Sequence, residues 1–150
     1  MGKTKIIGKW WVTLYGAPGE VKAQRHGTNV ITEDGKSFLA GFLYSAAAAA
    51  STFTMRYIAV GTNATAEAAS NTALGTEANR VSAVVSQVAG AIYRCTATFT
   101  SGIATGAITE YGLFSTATTG AGTIFSRDVE AVVNKGASDT LTVVTEVTFS

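Results

Sequence analysis

The sequence predicts an all-β protein: an antiparallel, jelly-roll-like β-sandwich of about eight strands, with one short helix and an N-terminal hairpin or arm. Three observations carry this expectation. Segments rich in β-branched and aromatic residues recur at regular spacing from residue 53 to the end. The separators are turn chemistry, such as Ala89-Gly90, Ser101-Gly102 and Thr105-Gly106. Helical periodicity shows in one stretch only, which argues against alternating strands and helices and hence against a parallel βαβ sheet.

The elements follow in order. Residues 9–15 (KWWVTLY) read as a strand, 16–19 (GAPG) as a turn holding the only proline, and 20–25 as the returning strand of a hairpin. A short extended piece at 29–32 leads into a helix over 33–50. Phe38, Leu39, Phe42 and Leu43 form its apolar stripe, Thr32 is its N-cap, and Glu33 and Asp34 suit its first turn. Strands are then expected at 53–60, 81–88, 92–100, 108–115, 123–133 and 140–149, with a long polar loop at 61–77 between the first two. One domain covers 1–150, divided into the hairpin or arm (1–32), the helix (33–50) and the main sandwich (52–150). A chain of this length buries close to roughly 70% of its unfolded surface, enough to need no disulfide or metal staple.

Composition narrows the function. The chain is 47% hydrophobic but only 14% charged, with a net charge of +1, against roughly 25% charged residues in an average domain. Such a balance offers no field to gather nucleic acid or an anionic membrane, so neither partner is expected. Ala and Thr make up about a third of the residues. A surface of Thr, Ser, Ala and Gly is poorly protected against association, and suits a protein that lies against copies of itself or a large partner. Neither a secretory signal pattern nor an apolar run near the roughly 20 residues of a spanning helix is present, so synthesis and folding in the cytoplasm are expected.

Catalytic chemistry is not expected, and no catalytic residue, cofactor, metal or small-molecule substrate is assigned. His26 is the only histidine and Cys95 the only cysteine, which excludes a two-His relay or a His cluster. Strand alternation sends Arg94 and Cys95 to opposite faces, leaving Cys95 a buried, inert thiol. Asp128 and Glu130 share a strand face and could in principle pair, yet adjacent Arg127 favours reading that face as solvated. Gly35-Lys36-Ser37 spells the end of a phosphate-binding loop, but Val30 stands where its first glycine belongs.

Three groups of segments carry a resemblance: WWVTLYGAPGEVKAQRHGTNVITEDGKSFLAGFL; MRYIAVGTNATAEAASNTALGTEANR; and TGAITEYGLFS, TIFSRD and VVNKGASDTLTVVTEVTF. Together they resemble small structural proteins of tailed bacteriophages and prophages over most of the chain. In that family the strand with Gly61 runs into the long loop, Glu77 and Arg80 open the next strand, Glu110 sits in the "ITE.GLF" strand, and residues 134–139 turn the last hairpin. The resemblance implies a virion component. A capsid decoration (cement) protein on the capsid surface would bind the major capsid protein and itself, as a homotrimer. The alternative is a tail fibre, baseplate or other tail protein with a receptor-binding or adaptor module. The decoration reading makes Lys3, Lys5, Lys9, Trp10 and Trp11 candidate interface residues, with strand alternation allowing one Trp to point inward and the other outward. A sugar site on loop 61–77 is disfavoured, because Asn63, Glu67 and Asn71 have no aromatic neighbour there.

Overall fold

The computed structural model describes residues 3, 5–44 and 55–150, with the side chains of residues 43 and 44 left out. Among the described residues, nine antiparallel strands and one helix follow in the order β1 (Ile6–Tyr15), β2 (Val21–Ile31), α1 (Glu33–Tyr44), β3 (Tyr57–Gly61), β4 (Glu77–Ser82), β5 (Val84–Ala89), β6 (Ile92–Phe99), β7 (Gly106–Phe114), β8 (Ile124–Lys135) and β9 (Thr140–Phe149). They form one curled sheet in the spatial order β4-β3-β7-β8-β2-β1-β9-β6-β5. The fold is all-β and sandwich-like.

Two bends make the layers. β2 pairs with β1 along most of its length, then with β8 through Val30 and Ile31 only. At the opposite side, edge strands β4 and β5 are separated by Ala83 alone. Ala83 is buried, and its N–H donates to the Arg56 carbonyl at 2.7 Å. A front layer of β2, β1, β9, β6 and β5 thus faces a back layer of β8, β7, β3 and β4. The expected single strand at 81–88 is this bent pair, because β-branched residues continue through the corner and give no signal of it.

The core lies between the layers. Trp10, Val12 and Leu14 of β1 meet Phe99, Leu141 and Val143 from the front and Ile58, Tyr111 and Leu113 from the back. Burying each large apolar side chain stabilises the fold by about 1.5–3 kcal/mol. α1 packs against this core through Phe38 and Leu39. Thr32 caps it as expected, its Oγ1 accepting from Gly35 N–H at 2.9 Å while donating to the Ile124 carbonyl at 2.6 Å. Residues 45–50 of the expected helix, and 53–54 of the strand expected at 53–60, lie outside the described residues.

The N-terminal hairpin is not an appendage to the sandwich. β1 pairs with β9 over ten positions, from Ile6↔Phe149 to Tyr15↔Thr140, and with β2 on its other side. Backbone bonds between Lys5 and Ser150 extend that ladder. The aromatic and β-branched composition of residues 9–15 fits this central position, since a strand flanked on both sides buries its inward face completely.

Candidate functional site

The hairpin register decides which side chains face outward. Trp10 pairs with Gly27 and Trp11 with His26, so the two indoles project from opposite faces of β1. Trp10 is fully buried, its ring 6.1 Å from that of Tyr111. Trp11 is 37% exposed on the outer face of the front layer, between His26 of β2 and Val144 of β9. Of the candidate interface residues, Lys3, Lys5, Lys9 and Trp11 are exposed, whereas Trp10 belongs to the core.

Three concavities meet at Trp11. One of about 410 Å³ is lined by Trp11, Thr13, Gln24, Arg25, His26 and Glu130, with Val12 at its floor. A second, also about 410 Å³, adds Lys9, Gly27 and Thr28. A third of about 280 Å³ runs towards Arg94, Thr96, Val144 and Glu146. Glu130 of β8 lies against the inner side of β2, where Gly27 lacks a side chain: a Cβ there, on the side Gly27 shares with its partner Trp10, would stand 2.0 Å from Glu130 Oε1. Arg25 is held in place by the carbonyls of Gln24 at 2.7 Å, Val132 at 3.1 Å and Ala131 at 3.3 Å. Burial and the nearby Glu67 charge raise the Glu130 pKa, opposed by His26 and Arg25.

Asp128 overturns the expectation of a solvated carboxylate. It is 1% exposed and pairs across the ladder with Tyr111. Burial, then the charges of Glu130 and Glu67, push its carboxyl up to about 7 against one opposing backbone hydrogen bond from Val129. Asp128 Oδ2 and the Tyr111 hydroxyl have no hydrogen-bond partner among the described residues. Arg127 does not solvate this face, because it points to the other side of β8 and is itself buried.

That other side holds Glu110, with Gly61, Glu77 and Arg80 near it. Glu110 Oε2 accepts from Arg127 at 2.8 and 3.1 Å and from Gly75 N–H at 2.8 Å; its Oε1 accepts from Thr76 N–H at 2.7 Å and Asn63 N–H at 3.2 Å. Arg127 also donates to Asn71 Oδ1 at 3.1 Å. Together they lash the 62–76 loop onto the outer face of the back layer. Gly61 permits the close approach, since a Cβ there would lie 2.3 Å from the Thr76 carbonyl. Beside it, Glu77 and Arg80 form a two-pronged pair at 2.8 and 2.9 Å, with the guanidinium 3.7 Å from the centre of the Phe114 ring. Arg80 also binds the carbonyls of Thr116 and Ala121. These buried charges are satisfied on every prong by structural partners, so they hold the fold and leave no reactive group exposed.

Cys95 and His26 are not one site. Cys95 is buried, its Sγ 3.5 Å from the Met55 carbonyl, and burial pushes its thiol up to about 11. Arg94 turns away from it to pair with Glu146. Among the described residues, no group of three or more His, Cys, Asp and Glu side chains is placed to hold a metal, and no helix is long and apolar enough to cross a membrane.

No family model, curated protein or solved structure matches this chain. The arrangement most open to a partner is therefore identified by chemistry alone: an exposed indole in a ring of hydrogen-bonding side chains, on a face that nothing else in the described chain covers. Sequence alternation pointed to the outward Trp. The approach of Gln24 to it depends on strand register, which carries no signature in the sequence.

Proposed function

We propose that the protein is a non-enzymatic virion structural protein, a capsid decoration (cement) protein that stabilises a head by binding between major capsid protein subunits. The observation that carries this reading is edge strand β5. All six of its residues (VVSQVA) are exposed, none is charged, and Val84 is 74% exposed. An uncharged apolar edge favours association, because edge charge is a common device that keeps β-proteins apart. The resemblance of the IAVGT, TALGTE and ITEYGLF segments to phage structural proteins supports the same reading. Multiple weak edge and face contacts, repeated over a shell, would clamp neighbouring subunits through multivalency.

The purified protein should form a defined oligomer, the trimer expected from the resemblance, and bind expanded heads but not unassembled coat protein. Val84→Lys with Val85→Glu should weaken that binding while leaving the melting temperature nearly unchanged. A strictly monomeric protein that copurifies only with tails would overturn the assignment. The second reading, a tail protein with a receptor-binding module, draws support from the exposed Trp11 site.

A further inference from the structure

We propose that the outer face of the front layer is a saccharide-binding site, with Trp11 as its stacking platform and Gln24 and His26 as its hydrogen-bonding groups. The ligand class is a neutral or N-acetylated hexose within an oligosaccharide. This inference does not rest on the virion reading, and holds for either head or tail.

Trp11 is the only side chain common to all three concavities, so a ring stacked on its indole has a depression on each side for a neighbouring unit. The volumes of about 280–410 Å³ reach the lower range of small-ligand sites. An aromatic face offers an apolar surface to sugar C–H groups, and the surrounding rim must then satisfy hydroxyls. The rim has the required mixture. The Gln24 amide and His26 imidazole both donate and accept, and the Thr13, Thr28 and Thr96 hydroxyls lie further out.

Charge selects against other ligands. Arg94 is paired with Glu146, and Arg25 is bound to three backbone carbonyls. These two arginines are thus occupied, and Lys9 on the same rim is a point charge that offers no bidentate grip on a phosphate or sulfate. A protein partner would need an apolar, charge-depleted interface core, whereas here polar and charged groups surround a single aromatic ring.

The test is a titration of the full chain with chitotriose, cellotriose, maltotriose and a galactose trisaccharide, followed by the two indole N–H signals in NMR spectra. Trp10 is buried and Trp11 exposed, so the signals report separately. The expected result is that at least one trisaccharide shifts the Trp11 signal saturably, with a dissociation constant of about 1 mM or below, and leaves Trp10 unmoved. Trp11→Thr should weaken binding at least tenfold, measured by calorimetry. Gln24→Ala should weaken it severalfold with the amide spectrum otherwise preserved, which separates a lost contact from a lost fold. No shift of Trp11 with any of the four sugars at about 10 mM, ten times a millimolar constant, would overturn the proposal. So would unchanged affinity in Trp11→Thr. Capsid binding is a separate readout, so failure here leaves the assembly reading standing, and the converse holds.

Discussion

On the back layer, Glu110, Arg127 and Arg80 are each at most 9% exposed and their hydrogen bonds end on the chain itself, on the 62–76 loop and the 115–123 turn. On the front layer, Trp11 is exposed and its neighbours Lys9, Gln24, His26 and Thr28 point to solvent. The same strand alternation underlies both faces. The difference is that the back face has a loop to cover it and, among the described residues, the front face has none. Buried charge therefore serves the fold on one side, where breaking a pair strands its partner away from water. Polar groups on the other side remain available to something outside the chain.

The largest expected effect comes from uncovering the back face. Glu110→Ala leaves Arg127 buried without its carboxylate and frees the N–H groups of Asn63, Gly75 and Thr76. It should cost about 3–5 kcal/mol in urea denaturation and expose the 62–76 loop to limited proteolysis. A loss below about 1 kcal/mol would show that the loop is held by something other than this network. Next comes the inward indole. Trp10→Ala should cost about 3–5 kcal/mol through lost burial and a cavity beside Tyr111; an effect as small as that of an exposed residue would contradict its place in the core.

Asp128 sharpens the comparison through pH. Its folded pKa, about 7, lies above the 3.8 of a free carboxyl, so the native state holds a proton that the unfolded state has already released. Its contribution to stability is complete below about pH 4 and lost as pH rises through 7. Asp128→Asn removes that loss. The variant should melt higher than the parent at pH 8, and the gap should narrow towards pH 4 in scanning calorimetry. A gap independent of pH would assign the effect to packing instead.

How much of this was legible beforehand varies with the physical cause. The Thr32 cap, the turns at Gly102 and Gly120, and the opposite directions of Trp10 and Trp11 follow from local rules, and the structure has them. The corner at Ala83 was hidden because Val81, Val84 and Val85 suit strands on either side of it. β7 lacks the alternation of a half-buried strand because one face meets the core and the other the 62–76 loop. The face of Asp128 and Glu130 reads as solvated because Arg127 stands beside it, but Arg127 is buried under the 62–76 loop and Asp128 beside Tyr111, both through contacts with distant parts of the chain. The same holds for Glu130, which packs against the inner side of β2 only because Gly27 lacks a side chain there.

The smallest expected effect is on the open face. Arg94→Ala breaks a half-exposed pair with Glu146 and should cost about 0.2–1 kcal/mol, less at high salt. Trp11→Thr keeps a β-favouring residue at an exposed position and should shift stability by about 1 kcal/mol or less. The direct test of the central claim is urea denaturation of Trp11→Thr beside Glu110→Ala. A stable Trp11 variant and a Glu110 variant weakened by several kcal/mol are predicted. A Trp11→Thr loss as large as that of Glu110→Ala would mean that the front face also serves the fold, and would contradict the division between the two faces.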